Sequence, residues 1–384
     1  MNDFTFETTP KIVCRQGAAS RLHELVATHG ARRVLVVTDR GLLDTGIAAK
    51  VVAGLEQAGL AVSVFADVLA DPPEHKVLEA VGAARDAKAE LVIGFGGGSS
   101  MDTAKLVALL ARTSQPLDAI YGIGLAKGPR LPLIQVPTTA GTGSEVTPIS
   151  IVTTPSQEKK GVVSPLLYPD VAVLDSLLTL SLPPAVTAMT GVDAMVHAIE
   201  AYTSRVKKNL LSDLFATKAL QLLFDNIDAA VTTGDDAAAR ERMLLGSLMA
   251  GIAFANAPVG AVHALAYPLG AHYHLPHGLT NSLMLGPVLR FNLRDAAPRY
   301  AELGRMLLPA ARGLPDDEAA HAFVDAIGAM VSTMPYAQTL REAGVAQDDL
   351  PMLARDAMNV QRLLVNNPRD VALEDALALY RAAY

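Results

Sequence analysis

Residues 91–110, LVIGFGGGSSMDTAKLVALL, decide the fold of the first half of the chain. Leu91–Phe95 is a short apolar run typical of a buried strand, and the residues from Thr103 onward are typical of a helix. The three consecutive glycines between them let the backbone approach a pyrophosphate, and the start of the helix supplies oriented amide donors. The stretch therefore predicts a strand–loop–helix unit with a phosphate-binding loop; the alternative is a tight turn that binds nothing.

The sequence around this loop alternates short β-branched runs with amphipathic helical stretches. Arg33–Thr38 and Ala61–Phe65 are predicted strands, and residues 48–58 and 76–88 are predicted helices. This alternation indicates a mainly parallel sheet covered by helices, and the continuous apolar strands indicate burial on both faces. Ser99 stands where the usual dinucleotide fingerprint has its last glycine, so we expect a Rossmann-like domain with a different strand order.

Two further features of this half favour a bound nucleotide. Asp39, at the end of a predicted strand, is placed to accept hydrogen bonds from an adenosine ribose and to repel a 2′-phosphate; its alternative role is a helix N-cap or turn. Residues 137–147, PTTAGTGSEVT, follow a predicted strand at 131–136 and offer hydroxyls and backbone amides without adding a positive charge. Two such loops, each after a strand, predict that one nucleotide lies across the strand ends.

Helical periodicity replaces the β-branched runs after SLPP at residues 181–184. We therefore predict an α/β dinucleotide-binding domain at residues 1–182 and an all-helical domain at residues 183–384. The length of 384 residues exceeds the roughly 250–300 residues at which a single core stops growing, which also favours two domains. The helices predicted in the second domain lie at residues 184–204, 210–230, 236–255, 258–270, 296–310, 315–331, 347–364 and 370–383.

One carboxylate and three histidines have spacings that suit a divalent metal ion. Asp193 and His197 are four residues apart in GVDAMVHAIEAY and project from one face of the predicted helix. His263 and His277 follow, and a proline before His277 and a glycine after it suit a ligand held on a bend. A carboxylate with three imidazoles favours Fe²⁺, Zn²⁺, Co²⁺ or Ni²⁺ over Mg²⁺ or Ca²⁺. A solvated aspartate beside core histidines is the alternative.

The composition excludes several classes of protein. The net charge of −7 and the lack of long basic stretches argue against nucleic acid as a partner. The single cysteine, Cys14, rules out an intrachain disulfide framework and fits a reducing compartment. The first residues lack the pattern of a signal peptide, and no run of eighteen apolar residues occurs. We therefore expect a cytoplasmic protein that does not bind a membrane.

Four motifs, in order along the chain, resemble those of the iron-containing (group III) alcohol dehydrogenase family. They are GGGSSMDTAK at 96–105, PTTAGTGSEVTP at 137–148, GVDAMVHAIEAY at 191–202 and HALAYPLGAHYHLPHGLTNS at 263–282. The resemblance extends from KIVCRQGA near residue 11 to NPR at 367–369. It implies a Rossmann-like domain followed by an all-helical domain, as in the dehydroquinate synthase-like fold, with the active site in the cleft between them and a homodimer or higher homo-oligomer.

The resemblance also implies the cofactors, their residues and the activity. The implied metal ligands are Asp193, His197, His263 and His277, for Fe²⁺ or else Zn²⁺ or another divalent ion. The implied cofactor contacts are Asp39, Gly97, Gly98, Ser99, Thr138, Thr139, Thr142, Thr147 and Lys159, with Lys159 near the ribose. Asp39 favours NAD over NADP. The implied activity is reversible hydride transfer between NAD(H) and a small alcohol or aldehyde, with the metal as a Lewis acid.

One position departs from the family pattern. Many members carry a second histidine four residues after the third ligand, where this chain has Tyr267. A tyrosine hydroxyl is a poor proton acceptor at neutral pH. We therefore predict that His272, His274 or water relays the proton, and Tyr267 is a further candidate for the relay or the pocket; the alternative is that both histidines only line the pocket or its rim. Glu200, three residues after His197, is interpreted as a support for a ligand or as a contact between helices.

Other functions on this fold stay open. They are a hydroxyacid-oxoacid transhydrogenase, a maleylacetate-reductase-like enzyme that works without a metal, and a lyase or cyclase like dehydroquinate synthase. The complete ligand set argues against the metal-free enzyme, and the scarcity of Lys and Arg near the ligands argues against a phosphorylated acid as substrate. A non-catalytic NAD sensor is the alternative from another class, and the complete ligand set argues against it as well.

Overall fold

Two units make up the computed structural model, which describes residues 3–156 and 158–384. The α/β unit spans Thr8–Ser181, and the helical unit spans Leu182–Tyr384 together with the described residues before Thr8. The backbone of Glu7 and the side-chain amide of Asn256 exchange two hydrogen bonds of 2.9 Å, which tie these first residues to the helical unit. The sequence analysis placed the division near residue 182 but assigned the first residues to the α/β domain.

A six-stranded parallel sheet with helices on both faces forms the α/β unit. Its described strands and α-helices are, in chain order, β1 (Ile12–Cys14), α1 (Leu22–Thr28), β2 (Arg33–Val37), α2 (Arg40–Asp44), α3 (Ile47–Gln57), β3 (Ala61–Phe65), α4 (Glu74–Asp86), β4 (Leu91–Gly96), α5 (Gly98–Leu110), β5 (Gly122–Ile123), β6 (Leu133–Pro137), β7 (Ile149–Thr153), β8 (Lys159–Val163) and β9 (Val171–Leu174). The strand order is β1-β9-β6-β4-β2-β3, and a smaller sheet has the order β5-β8-β7 with β7 antiparallel to β8.

Alternating side chains of the strands fill two cores, one on each face of the large sheet. In β2, Leu35 and Val37 pack with α4 and α5, whereas Val34 and Val36 pack with α1 and α3. Every residue of β4 is buried. The prediction of a parallel sheet buried on both faces is therefore confirmed. Because β4 and β6 are parallel neighbours, the glycine-rich loop and the threonine-rich loop begin at the same edge of the sheet.

The helical unit is arranged around one buried helix. Its described α-helices are α6 (Pro184–Thr203), α7 (Leu210–Thr232), α8 (Ala237–Asn256), α9 (Ala261–Tyr273), α10 (His277–Leu307), α11 (Asp316–Ser332), α12 (Leu350–Ala357), α13 (Gln361–Leu364) and α14 (Leu373–Ala383). Residues 191–201 of α6 are buried throughout, because α7, α8 and α10 pack around this helix. Among the described helices, none is by itself long and apolar enough to cross a membrane; α8 and α9, bent by 104°, meet that length and composition only as a pair.

Helix α10 differs from the sequence-based expectation. The chain was predicted to bend at His277 and to form a helix only from residue 296, but it is helical from His277 to Leu307. The helix contains Pro287 and Pro298. Proline lacks an amide hydrogen and clashes with the preceding turn, so sequence patterns place helix ends near it. Tertiary packing overrides that preference here, since the neighbouring helices α6 and α11 bury one side of α10.

Candidate metal centre and nucleotide-binding loops

Helix α6 supplies a carboxylate and an imidazole one turn apart. Asp193 and His197 are buried, with 2% and 5% of their surface exposed. Residues four apart on a helix share a face, which places both side chains on the side of α6 that faces His263. The His197 ring stacks on Phe254 with 4.4 Å between centroids and lies 4.7 Å from the ring of His263.

Glu200, on the same helix, orients His263 of α9. One carboxylate oxygen of Glu200 lies 2.6 Å from His263 Nδ1, and the other accepts the backbone N–H of Val262 at 2.7 Å. All three residues are buried. A carboxylate accepts hydrogen bonds, so it keeps the proton of His263 on Nδ1 and leaves the lone pair of Nε2 directed toward Asp193. The interpretation of Glu200 as support for a ligand agrees with this contact.

His277 enters the site as the first residue of α10. Its neighbour Gly278 packs against α6 so closely that a Cβ atom there would lie 2.4 Å from the carbonyl oxygen of Met189. A glycine at this position therefore lets the start of α10 approach α6. His277 Nε2 lies 3.9 Å from Asp193 Oδ1, and His263 Nε2 lies 4.0 Å from the same oxygen.

The three ligand atoms form a set that a single cation can satisfy. Asp193 Oδ1, His263 Nε2 and His277 Nε2 all lie within 4.8 Å of one another. Ligand atoms bind a divalent transition metal at about 2.0–2.2 Å, so an ion among atoms about 4 Å apart can reach them. The structure therefore brings together three of the four predicted ligands in this set, and His197 lies beside them.

Asn281 shows that the set is rich in acceptors. Its Nδ2 atom lies 2.5 Å from Asp193 Oδ1 and 3.2 Å from Nε2 of both His263 and His277. An amide nitrogen has two hydrogens, so it cannot donate to all three atoms. The Oδ1 atom of Asn281 has no hydrogen-bond partner among the described residues. One amide thus cannot satisfy these acceptors, and the residues fit a bound divalent cation.

The charge of Asp193 is favoured by its surroundings. Burial acts to raise the pKa of its carboxyl group. The three facing imidazoles and the amide of Asn281 act in the opposite direction and outweigh burial, so the pKa lies below its ordinary value. The site therefore offers an anionic oxygen at neutral pH, which balances part of the charge of a divalent ion.

Asn281 was not among the residues predicted from the sequence. This residue follows His277 by four positions, and on a helix that spacing places both on one face. The signal was hidden because the sequence predicted a bend rather than a helix at His277. With α10 starting at His277, the spacing alone indicates that Asn281 points at the metal site.

The predicted nucleotide-binding residues of the two loops lie together in the α/β unit. Gly97 precedes the first turn of α5, and Gly98 and Ser99 belong to it. A Cβ atom on Gly98 would lie 2.8 Å from the side chain of Thr142, so the two loops touch where that glycine stands. The backbone N–H of Thr138 donates to the carbonyl of Gly96 at 3.0 Å. Thr139 also borders the loop, 3.7 Å from the position of a Cβ on Gly97.

A buried lysine holds the threonine-rich loop, and the sequence analysis missed it. The Nζ atom of Lys105 donates to Ser144 Oγ at 2.8 Å, to Thr147 Oγ1 at 3.0 Å and to the carbonyl of Ile149 at 2.6 Å. Burial lowers the pKa of Lys105, and the carboxylate of Asp102 opposes that effect. The hydroxyl of Thr147, predicted as a cofactor contact, is buried in this network. The spacing Asp102–Lys105 on a helix is the one sequence signal for it.

Asp39 and Lys159, the two charged residues predicted to contact the cofactor, both have protein partners. Asp39 caps α2, with its Oδ1 atom accepting the N–H of Leu42 at 3.0 Å, which is the alternative role considered for it. Lys159 Nζ lies 2.7 Å from Asp71 Oδ1. A carboxylate has two oxygens and an ammonium group has three hydrogens, so both side chains keep capacity for a ligand. Their contacts with a nucleotide stay predictions.

Two family models match most of the chain. The model of the iron-containing alcohol dehydrogenase matches residues 9–176, and that of the C-terminal part of the Fe-containing alcohol dehydrogenase family matches residues 187–384. The chain belongs to the iron-containing alcohol dehydrogenase family. A relative in this comparison, long-chain-alcohol dehydrogenase 1 of Geobacillus thermodenitrificans, is 39% identical over 371 residues, which cover 96% of this chain and 93% of that protein.

Solved structures agree with this membership. A 1,3-propanediol oxidoreductase has a TM-score of 0.96 and 33% identity, with all of both chains covered. The sulfoacetaldehyde reductase of Bifidobacterium kashiwanohense, solved in complex with NAD⁺, has a TM-score of 0.89 and 29% identity, with 100% of this chain and 99% of that chain covered. The predicted family and the predicted fold class, an α/β sheet domain followed by a helical domain, are confirmed.

In this member of the family, the three side chains considered for proton transfer lie in different surroundings. The half-buried ring of Tyr267 lies 6.1 Å from the ring of His277. His272 is exposed, and its Nε2 atom contacts Asp356 at 2.7 Å. His274 is exposed and ends α9 in a left-handed conformation, with φ of 53°. Tyr267 is therefore in ring contact with the predicted ligand His277, and the proton relay stays a prediction.

Proposed function

We propose that the protein is an NAD-dependent, metal-dependent alcohol dehydrogenase or aldehyde reductase that transfers a hydride between NAD(H) and a small alcohol or aldehyde. The convergence of Asp193 Oδ1, His263 Nε2 and His277 Nε2 within 4.8 Å, in a member of this family, carries the proposal. The relatives named as an alcohol dehydrogenase, an oxidoreductase and a reductase support this class of reaction.

The donor set supports a divalent metal, with iron as the proposed ion. Asp193, His263 and His277 would hold it, and His197 is the fourth ligand implied by the family resemblance. When bound, the metal supplies a Lewis acid for the alcohol or aldehyde oxygen. Glu200 keeps the Nε2 lone pair of His263 available, and the buried walls of α6 and α9 exclude water from one side of the site.

The contacting loops of the α/β unit support a dinucleotide as the hydride carrier. The amides at the start of α5 are suited to a pyrophosphate, and the threonines beside them offer hydroxyls. The relative solved in complex with NAD⁺ supports NAD as that dinucleotide. Asp39 supports NAD over NADP, since a second carboxylate oxygen remains for a ribose hydroxyl and would repel a 2′-phosphate. We also propose that the protein is cytoplasmic and that it forms a homodimer or a higher homo-oligomer. Light scattering would test the oligomeric state.

The test of this proposal is NADH oxidation with short aldehydes by chelator-treated protein, with and without anaerobic Fe²⁺ or Zn²⁺. We expect activity only after metal is added, and we expect Asp193→Ala and His277→Ala to lose at least about a hundredfold in kcat/KM because an interaction with the reacting oxygen is lost. His321→Ala is the matched control, since this exposed histidine contacts Asp317 on its own helix α11.

Two outcomes would contradict the proposal. If chelator-treated protein oxidises NADH as fast as metal-loaded protein, the metal-free mechanism of a maleylacetate reductase explains the activity instead. If no aldehyde oxidises NADH while metal and NAD both bind, the transhydrogenase and the lyase become the functions to test, by supplying a hydroxyacid with an oxoacid or a phosphorylated substrate.

A further inference from the structure

Tyr267 lies beside the candidate metal site, and the guanidinium group of Arg362 lies over its ring. It follows His263 by one turn of α9, so both residues share a face of that helix. Its ring centroid lies 6.1 Å from that of His277 and 5.8 Å from the guanidinium carbon of Arg362. Tyr267 thus contacts both a predicted metal ligand and this arginine.

Arg362 is held at this position by the packing of its helix. It lies on α13, which packs against α9. The next two residues, Leu363 and Leu364, are buried, whereas Arg362 is exposed. The side-chain amide of Asn366 also ties this segment to the chain before α9, through the carbonyl of Val259 at 2.9 Å. The backbone of Arg362 is therefore fixed, and its charged end reaches solvent beside Tyr267.

The guanidinium of Arg362 has no acidic partner among the described residues. Arg369, in the same segment, pairs with Asp295, and the exposed His272 near the end of α9 pairs with Asp356. The face of an aromatic ring attracts a guanidinium but leaves its N–H donors unused. The five N–H donors of the planar guanidinium group therefore stay available, and two of them can bind two oxygens of a carboxylate or sulfonate.

We propose that Arg362, supported by the ring of Tyr267, binds an anionic group of the substrate, so that the enzyme prefers short alcohols and aldehydes bearing a carboxylate or sulfonate. This inference rests on the proposed dehydrogenase activity. In the oxidation, the C–H bond of the carbinol carbon breaks, the hydride passes to C4 of NAD⁺, the hydroxyl proton goes to water, and an aldehyde and NADH form. Arg362 takes no part in these bond changes; it sets which substrates bind.

The distances set the size of the substrate. The ring centroid of His277 lies 6.1 Å from that of Tyr267, which lies 5.8 Å from the guanidinium carbon of Arg362. The distance from Arg362 to the ring of His277 is therefore at most the sum, 11.9 Å. A ligand nitrogen holds an ion at about 2 Å, and a hydrogen bond adds about 3 Å at the arginine. Because 11.9 Å is an upper limit, these distances limit the substrate to a short molecule, such as one of about two to four carbons.

The experiment compares pairs of substrates that differ only in charge. Oxidation of 3-hydroxypropanoate is measured against 3-hydroxypropanamide, and that of 2-hydroxyethanesulfonate against 2-(methylsulfonyl)ethanol, with metal-loaded enzyme and NAD⁺. We expect the wild-type enzyme to prefer the charged member of at least one pair, which also distinguishes a carboxylate from a sulfonate. We expect Arg362→Gln to raise KM for that member about tenfold, a modest effect for a charge-assisted bond because the guanidinium is exposed. Its kcat, and both constants for the neutral member, should change less than about twofold.

Two further variants separate charge recognition from a structural effect. Arg362→Lys keeps the charge and should restore most of the preference. Arg341→Gln is the matched control, because Arg341 is also exposed and also lies over a tyrosine, 4.7 Å from the ring centroid of Tyr384. Equal loss for charged and neutral substrates in Arg362→Gln, or no wild-type preference within either pair, would overturn the inference while leaving the dehydrogenase in place. If no alcohol is oxidised by any variant, the proposed function itself fails, and this inference fails with it.

Discussion

Replacing Glu200 with glutamine should weaken metal binding through the tautomer of His263. The carboxylate of Glu200 accepts from two donors, His263 Nδ1 and the backbone N–H of Val262, at 2.6 Å and 2.7 Å. A glutamine has one carbonyl oxygen and can satisfy one of these donors; its NH₂ group faces the other. When the NH₂ group faces Nδ1, it favours the tautomer with hydrogen on Nε2, and that hydrogen blocks the lone pair needed for the metal.

The expected loss of metal affinity follows from the burial of these groups. Without metal, Glu200→Gln lets His263 change tautomer, so that Nδ1 accepts from the glutamine NH₂ group and the two are not left as facing donors. Metal binding then forces the Nδ1–H tautomer and leaves a buried donor unsatisfied, at a cost of about 1–3 kcal/mol. Since about 1.4 kcal/mol is tenfold in a binding constant, the metal dissociation constant should rise by about ten- to a hundredfold.

The assay is competition for Zn²⁺ or Co²⁺ with a chromophoric chelator, which needs no substrate. Asp356→Asn is the matched control, because Asp356 forms the same kind of carboxylate–imidazole contact with His272 but on the surface. It should bind metal within about twofold of the wild type, as expected for an exposed pair. If Glu200→Gln also stays within about threefold, with an unchanged melting temperature without metal, then the carboxylate does not control the tautomer and the reasoning is wrong.

Two predictions concern stability. Gly278→Ala should lower the free energy of unfolding by about 2–4 kcal/mol in urea titration, because its Cβ would lie 2.4 Å from the carbonyl oxygen of Met189. Gly328→Ala is the control: it lies on a helix with nothing within 4 Å of the new atom, so it should be neutral or stabilising. Equal effects of the two substitutions would refute the packing argument. Burial raises the pKa of Glu145 to about 7, above its ordinary value of 4.5. The folded state therefore holds the proton more tightly than the unfolded state, and stability should fall as pH rises from about 4.5 to about 7. Glu145→Gln should flatten this decline relative to the wild type, and parallel stability–pH curves would contradict it.

Local pattern was enough to predict the strands and helices beside the glycine-rich and threonine-rich loops, but it did not predict the order of the strands. The run Ala61–Phe65 was placed at both ends as the structure has it, because an apolar run bounded by turns is a local feature. The pairing of β1 with β9 joins Ile12 to Ala172, far apart in the chain. No spacing in the sequence encodes that choice, since it depends on which edge of the sheet remains free.

The candidate metal site shows the same limit at the level of single side chains. Asp193 and His197 were found because four residues is one helical turn, a rule that works within one element. Asn281 was missed because a bend was predicted at His277, which hid the helical spacing between the two residues. The role of Lys105 was missed because Ser144 and Thr147 lie in the threonine-rich loop, and only the packing of α5 against that loop brings them near. Contacts between side chains on different helices, strands and loops leave no periodic pattern in the sequence.

The arrangement of α6 makes the metal ligands depend on one another. Asp193 is a predicted ligand, and Glu200 on the same helix contacts the predicted ligand His263 on a second helix. His277 begins a third helix whose approach to α6 requires Gly278. A shift of α6 would therefore move the carboxylate ligand, release the tautomer of one imidazole and alter the approach of the other. Three ligands from three helices act as a single site because one buried helix contacts the other two.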